Sequence, residues 1–120
     1  MNKQYRVKKS KDIEEILKNH KFSGNPYFTV YMKEQNETIH FRYAMSVSKK
    51  IGNAVVRNRL KRQIRAIMRE CSIIPNVDIF IIARSKLLTI SFQTMKKELL
   101  YLLNKQNLLI KGENNGTFYK

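Results

Sequence analysis

Apolar residues at Val56, Leu60, Ile64, Ile67 and Cys71 recur at spacings of 4, 4, 3 and 4, the repeat of one helix face turned toward a core. The spacing predicts a helix starting at Ala54, with Asn53 as the N-cap that bends the chain into it and Gly52 beside it for unusual backbone angles. A first helix is predicted from Ser10, a candidate N-cap, to near Asn19 or His20. Its apolar face is Ile13, Ile16 and Leu17, and Asp12, Glu14 and Glu15 complement its positive end. From Phe22 the period changes. A short strand around 20–22 is expected before a turn at Ser23-Gly24-Asn25-Pro26, then a strand over Tyr27 to Met32 and a polar turn from Lys33 to Thr38. Ile39 to Val47 alternates, with Ile39, Phe41, Tyr43, Met45 and Val47 on one side. After a break at Pro75-Asn76, the apolar run Val77 to Arg84 suits a strand covered on both faces. A last helix, capped by Ser91, turns Phe92, Met95, Leu99, Leu102 and Leu103 inward.

The predicted order is α-β-β-β-α-β-α, an α+β fold in one domain over 1–120, with an antiparallel sheet that buries the central helix on one face. Residues 111–120 read as a mobile tail. At 120 residues and 42% hydrophobic the chain has material for a single core.

Charge changes the picture. The formal net charge is +15, and residues 49–70 hold eight of the 24 basic residues and one acid, Glu70. At about 100° per residue, Arg57, Lys61, Arg65, Arg69, Arg62 and Arg59 spread over an arc of roughly 200° opposite the apolar stripe. A solvated face of mixed sign would need no partner. A face of one sign costs about 0.2–0.5 kcal/mol for each like-charged i,i+4 pair, a cost that a polyanion relieves. Nucleic acid fits better than a membrane, because the longest apolar runs, 79–83 and 99–103, fall far short of a span. The first residues contain no apolar signal core, so a cytoplasmic location is expected.

Catalytic groups are scarce. Nine acids stand against 24 bases, with no paired carboxylates of the two-metal type, no Ser/His/Asp set and no phosphate-binding glycine loop. Asp78, inside an apolar run, reads as a structural hydrogen-bonding group. His20 and His40 have no ligand at metal spacing, and the single Cys71 reads as a core residue. No catalytic residue and no protein-held metal are assigned.

The stretch Ser48-Lys49-Lys50-Ile51-Gly52-Asn53-Ala54, followed by Arg57-Asn58-Arg59, closely resembles the signature of the bacterial ribonuclease P protein subunit. The resemblance implies a fold like the second domain of ribosomal protein S5, with a left-handed β-α-β crossover against the general rule. It also implies a function: assisting a catalytic RNA that removes the 5′ leader of precursor tRNA, with Mg²⁺ held mainly by RNA. Carried onto matching positions, contacts to the ribonuclease P RNA fall on Arg57, Asn58, Arg59, Lys61, Arg62, Arg65 and Lys49, with Lys8 and Lys9 as weaker candidates. A cleft for the single-stranded leader falls on Ile13, Leu17, Thr29, Tyr31, Lys50, Arg57 and Asn58. Phenylalanines are frequent in the family where this chain has Ile13 and Leu17, which lack a π-face for a base. No membrane and no protein partner are implied. The competing readings are a ribosomal RNA-binding protein of similar fold and a stand-alone nuclease.

Overall fold

The computed structural model describes residues 10–19, 21–36 and 39–110. Lys8, Lys9, His20, the capping side chain of Ser10 and the tail 111–120 lie outside the described residues. Helix α1 spans Ser10–Lys18, strands β1 and β2 span Phe22–Gly24 and Phe28–Glu34, and β3 spans Arg42–Ser46. Helix α2 covers Ala54–Glu70, β4 covers Val77–Ala83, a short 3₁₀ turn covers Ser85–Thr89, and α3 covers Phe92–Lys105. The element types and order match the sequence pattern, with the 3₁₀ turn added.

The sheet departs from the antiparallel pattern expected of its strands, while its parallel β3–β4 pair, joined through α2, is the β-α-β connection that the resemblance implies. Its order is β1-β2-β4-β3, antiparallel from β1 through β2 to β4 but parallel between β3 and β4. Helix α2 is the reason: a chain that leaves β3, runs through a helix and returns beside β3 comes back in the same direction. Central β4 therefore separates β2 from β3. As its apolar run requires, it is covered on both faces, by α2 and α3 on one side and α1 on the other.

On the α2/α3 side, Phe28, Val30, Tyr43, Val47, Ile79 and Ile81 meet Leu60, Ile64, Ile67, Leu99 and Leu103 in the main core. Each fully buried aliphatic side chain contributes about 1.5–3 kcal/mol. Met68, rather than Cys71, completes the buried stripe of α2, because the helix ends at Glu70 and Cys71 is its C-cap. The alternation in β3 holds at Tyr43 and Val47 but fails at Ile39, which is 88% exposed. The ladder to β4 starts at the pair Arg42 and Asp78, so Ile39 lies before the first paired residue of β3.

Two asparagines shape the turns. Asn25 Oδ1 accepts from the amides of Tyr27 (2.9 Å) and Phe28 (2.8 Å), so the turn falls one to two residues later than predicted and β1 takes in Ser23 and Gly24. Asn107, at φ 59°, ends α3 in the left-handed region, and the Leu108 amide returns to the Leu103 carbonyl at 3.0 Å. Leu109 then bridges to Ile73, closing the end of the described chain onto the turn between α2 and β4.

Candidate nucleic-acid interface

The loop between β3 and α2 is pinned at both ends by apolar residues. Val47 and Ile51 are buried, while Ser48, Lys49 and Lys50 between them are exposed. Ser48 organises the turn: its Oγ accepts from the Lys50 amide (3.1 Å) and its carbonyl from the Ile51 amide (3.0 Å). Two lysines are thus held out on a fixed turn. Asn53, in an extended conformation at φ −74°, accepts the Val56 amide at 3.0 Å and is the predicted N-cap. Gly52 serves a different purpose from the one expected. A Cβ there would come within 3.1 Å of the Val56 side chain, so the glycine spares a tight approach and does not supply an unusual φ.

Arg57 folds back on this loop, its Nε donating to the Gly52 carbonyl at 3.2 Å. Arg57, Lys61 and Arg65 are half-buried along the border of the apolar stripe, whereas Asn58, Arg59, Arg62 and Arg69 are exposed. The half-buried members lay their stems on apolar surface and keep their charges in water. Among the described residues, no carboxylate pairs with any of the six cations of α2; the ion pairs lie elsewhere, at Lys33–Glu15, Arg42–Asp78 and Lys96–Glu70.

The opposite face of the sheet carries a second cluster. Ile16 and Phe80 are buried there, with Ile13, Leu17, Tyr31, Ala44 and Ile82 partly buried around them. The predicted cleft residues Ile13, Leu17 and Tyr31 are therefore together between α1 and the sheet. Thr29 lies one row along β2, buried, with its hydroxyl accepting from Arg84 Nε (3.2 Å) and Nη2 (2.8 Å). At the other end of the face, Arg42 forms a two-pronged pair with Asp78 at 2.8 and 2.7 Å, which gives Asp78 the structural role expected of it. Lys33 bonds Glu15 at 2.8 Å; that hydrogen bond holds the Glu15 carboxyl below its ordinary pKa and raises the lysine's.

Lys50 lies on the loop before α2, and Arg57 and Asn58 lie in its first turns. Among the described residues, no hydrogen bond or ring contact joins them to Tyr31 or Thr29; what links the two groups is the loop that leaves the Ser46 end of β3. Two of the predicted cleft residues have partners that the sequence does not single out: Phe22, whose ring meets Tyr31, and Arg84, which bonds Thr29. Arg84 reads as the end of an apolar strand and Phe22 as the edge of a short one; only the pairing register brings them to the same face. Among the described residues, no three His, Cys, Asp or Glu side chains gather to hold a metal ion. The donor set of the described residues does not fit a protein cage for Mg²⁺.

The sequence model of the family Ribonuclease P matches residues 1–107. A ribonuclease P protein component from Listeria innocua is 42% identical over 118 residues, covering 97% of this chain and 99% of the relative. The chain belongs to the ribonuclease P protein family. The ribonuclease P protein of Staphylococcus aureus superposes with a TM-score of 0.80 at 35% identity, over 88% of this chain and 98% of that one. That of Thermotoga maritima gives 0.74 at 31%, over 89% and 98%. The mixed α+β architecture is thus that of solved ribonuclease P proteins, which are components of a ribonuclease that carries out tRNA 5′ processing. Within this ribonuclease P protein fold, the Arg57-Asn58-Arg59 triplet occupies the first turns of α2, just after the pinned loop.

Proposed function

We propose that this chain is the protein subunit of a ribonuclease P in which the RNA subunit performs the hydrolysis. Helix α2 and its loop bind that RNA through Arg57, Asn58, Arg59, Lys61, Arg62, Arg65 and Lys49. The cleft between α1 and the sheet, with Ile13, Leu17, Thr29 and Tyr31, receives the single-stranded 5′ leader of precursor tRNA, and Lys50, Arg57 and Asn58 meet the strand where it passes α2. The Mg²⁺ that phosphodiester hydrolysis uses is held mainly by RNA, and the complex works in the cytoplasm.

The observation that carries this reading is the single-signed face of α2. Six cations stand on one helix whose one acid, Glu70, pairs with Lys96 instead, and among the described residues no carboxylate forms an ion pair with them, on a protein of net charge +15. Bringing precursor tRNA to a large RNA places two polyanions together, and such a face lowers their repulsion while releasing condensed counterions. Neutralising about six phosphates gives a log–log salt slope of about −4 to −5 for the association.

Reconstitution tests it. The purified chain, the catalytic RNA and precursor tRNA are combined at low Mg²⁺, and each macromolecule is omitted in turn. Cleavage at the mature 5′ end that needs both chain and RNA is the expected result. Cleavage by the chain alone would move the chemistry to the protein, and equal cleavage without the chain would end the proposal.

A further inference from the structure

Beside the α1 cluster the sheet carries an exposed ring, Phe22, that is in neither buried cluster. Phe22, on edge strand β1, is the register partner of Tyr31, and their rings lie 5.2 Å apart at an interplanar angle of 32°. Phe22 is 56% exposed. A ring left this far in water on a three-residue edge strand gains little of the burial energy available to it, so folding does not account for it. Tyr31, half-buried against the α1 cluster, fixes the angle at which Phe22 is presented.

Beside this pair lies a cation with a fixed position. Gly24 and Thr29 form the next row of the same face, about 7 Å along the strand, and Thr29 holds the Arg84 guanidinium by two hydrogen bonds. Gly24 adds no side chain next to it. Of the carboxylates around this face, Glu15 and Asp78 are each paired with another cation, Lys33 and Arg42, and Asp12 also acts on Lys33. The result is a π-face next to an arginine that has no carboxylate among the described residues, on a strongly cationic protein. An unpaired nucleotide matches both parts, because every base has a π-face and carries a phosphate beside it.

We propose that Phe22, backed by Tyr31, is a stacking platform for an unpaired nucleobase of the RNA strand in this cleft, with Arg84 taking a phosphate of the same strand. The proposal rests on the leader-binding reading above and deepens it. In this chain α1 offers the aliphatic Ile13 and Leu17, so stacking moves from the helix wall of the cleft to its β1 wall. Phe22 is then a determinant of leader affinity, tolerant of base identity.

The chain contains no tryptophan, which makes Phe22→Trp a sole fluorescent reporter. Assembled with the catalytic RNA, this variant should lose emission when precursor tRNA with a leader of several nucleotides is added, and keep it with the same tRNA carrying one leader nucleotide. Phe22→Ser should weaken binding of the long-leader substrate about tenfold, within the range measured for one base–aromatic stack, and leave the short-leader substrate unchanged. Trp at the same position should restore the affinity. If the wild-type assembly prefers the long leader and Phe22→Ser keeps that preference, or if the tryptophan is not quenched, the platform is wrong while the leader reading stands. If the wild type binds both substrates equally, the leader reading fails and takes this proposal with it. Loss of self-association in Phe22→Ser, with leader affinity intact, would make the ring a protein contact and overturn the assignment.

Discussion

Cys71 caps α2 with its Sγ donating to the Ile67 carbonyl at 3.1 Å, half-buried against the core. Burial is the main cause that pushes its thiol up to about 12. A raised value favours the neutral thiol in the folded state, so its contribution to stability is complete below about pH 8.5, the ordinary thiol range, and is lost as pH rises toward the folded value. Alkylation by iodoacetamide at pH 8 should be slower in the native protein than in denaturant by about three orders of magnitude, because the thiolate is the reacting form. Comparable rates would place the thiol in water. Asp78 illustrates the other buried polar case. Its carboxylate side chain is 5% exposed and that of Arg42 is 14% exposed, in a bidentate pair across adjacent parallel strands. Asp78→Ala removes the carboxylate from beside a guanidinium largely out of water, and should cost about 3 kcal/mol in denaturant unfolding. A loss below about 0.5 kcal/mol, the range of ordinary surface changes, would mean that water reaches the guanidinium freely.

At the scale of elements, α2 has one face for the core and one that is cationic, and the RNA contact proposed for the second should be separable from folding by mutation. Changing Arg57 and Arg59 together to Ala should move folding stability by no more than about 0.5 kcal/mol. It should also weaken association with the catalytic RNA and flatten its salt slope by about 2, one for each phosphate that the variant no longer neutralises. A double variant that unfolds yet keeps full activity per folded molecule would make the triplet structural. The helices and the cationic arc were readable from the sequence because a 3.6 period and like charges at i,i+4 are local. The strands were readable as elements, but their pairing was not. Whether β3 lies beside β2 or β4 depends on where α2 sends the chain back, and no residue of β3 encodes that by itself. The same limit hid half of the cleft. Ile13, Leu17 and Tyr31 follow from family resemblance, whereas the roles proposed for Phe22 and Arg84 rest on the partners that register gives them, Tyr31 and Thr29.

For the whole molecule, net charge sets a tension between folding and partner binding. A formal charge of +15 on 120 residues repels itself in the compact state. Anions that bind the folded form relieve that repulsion and stabilise by mass action, about 2.7 kcal/mol at a hundred times their dissociation constant. Thermal unfolding in pyrophosphate should therefore occur at higher temperature than in chloride of equal ionic strength, with the difference shrinking in the Arg57/Arg59 double variant. Equal melting in the two salts would mean that the α2 face has no anion site beyond general screening.

The closure of Leu109 onto Ile73 has a consequence for biosynthesis. Helix α2 ends at Glu70, yet the α3 side chains that cover its apolar stripe run to Leu103, and the segment that seals it reaches Leu109. A chain made from its N-terminus therefore emerges from the ribosome with its cationic helix complete and that helix's greasy side bare. Until the last of those leucines has been added, it must pass through an environment crowded with ribosomal RNA. Closure of this core thus waits on the leucines of α3 and on Leu109, and until they are made the same positive charge is carried by an unfinished chain.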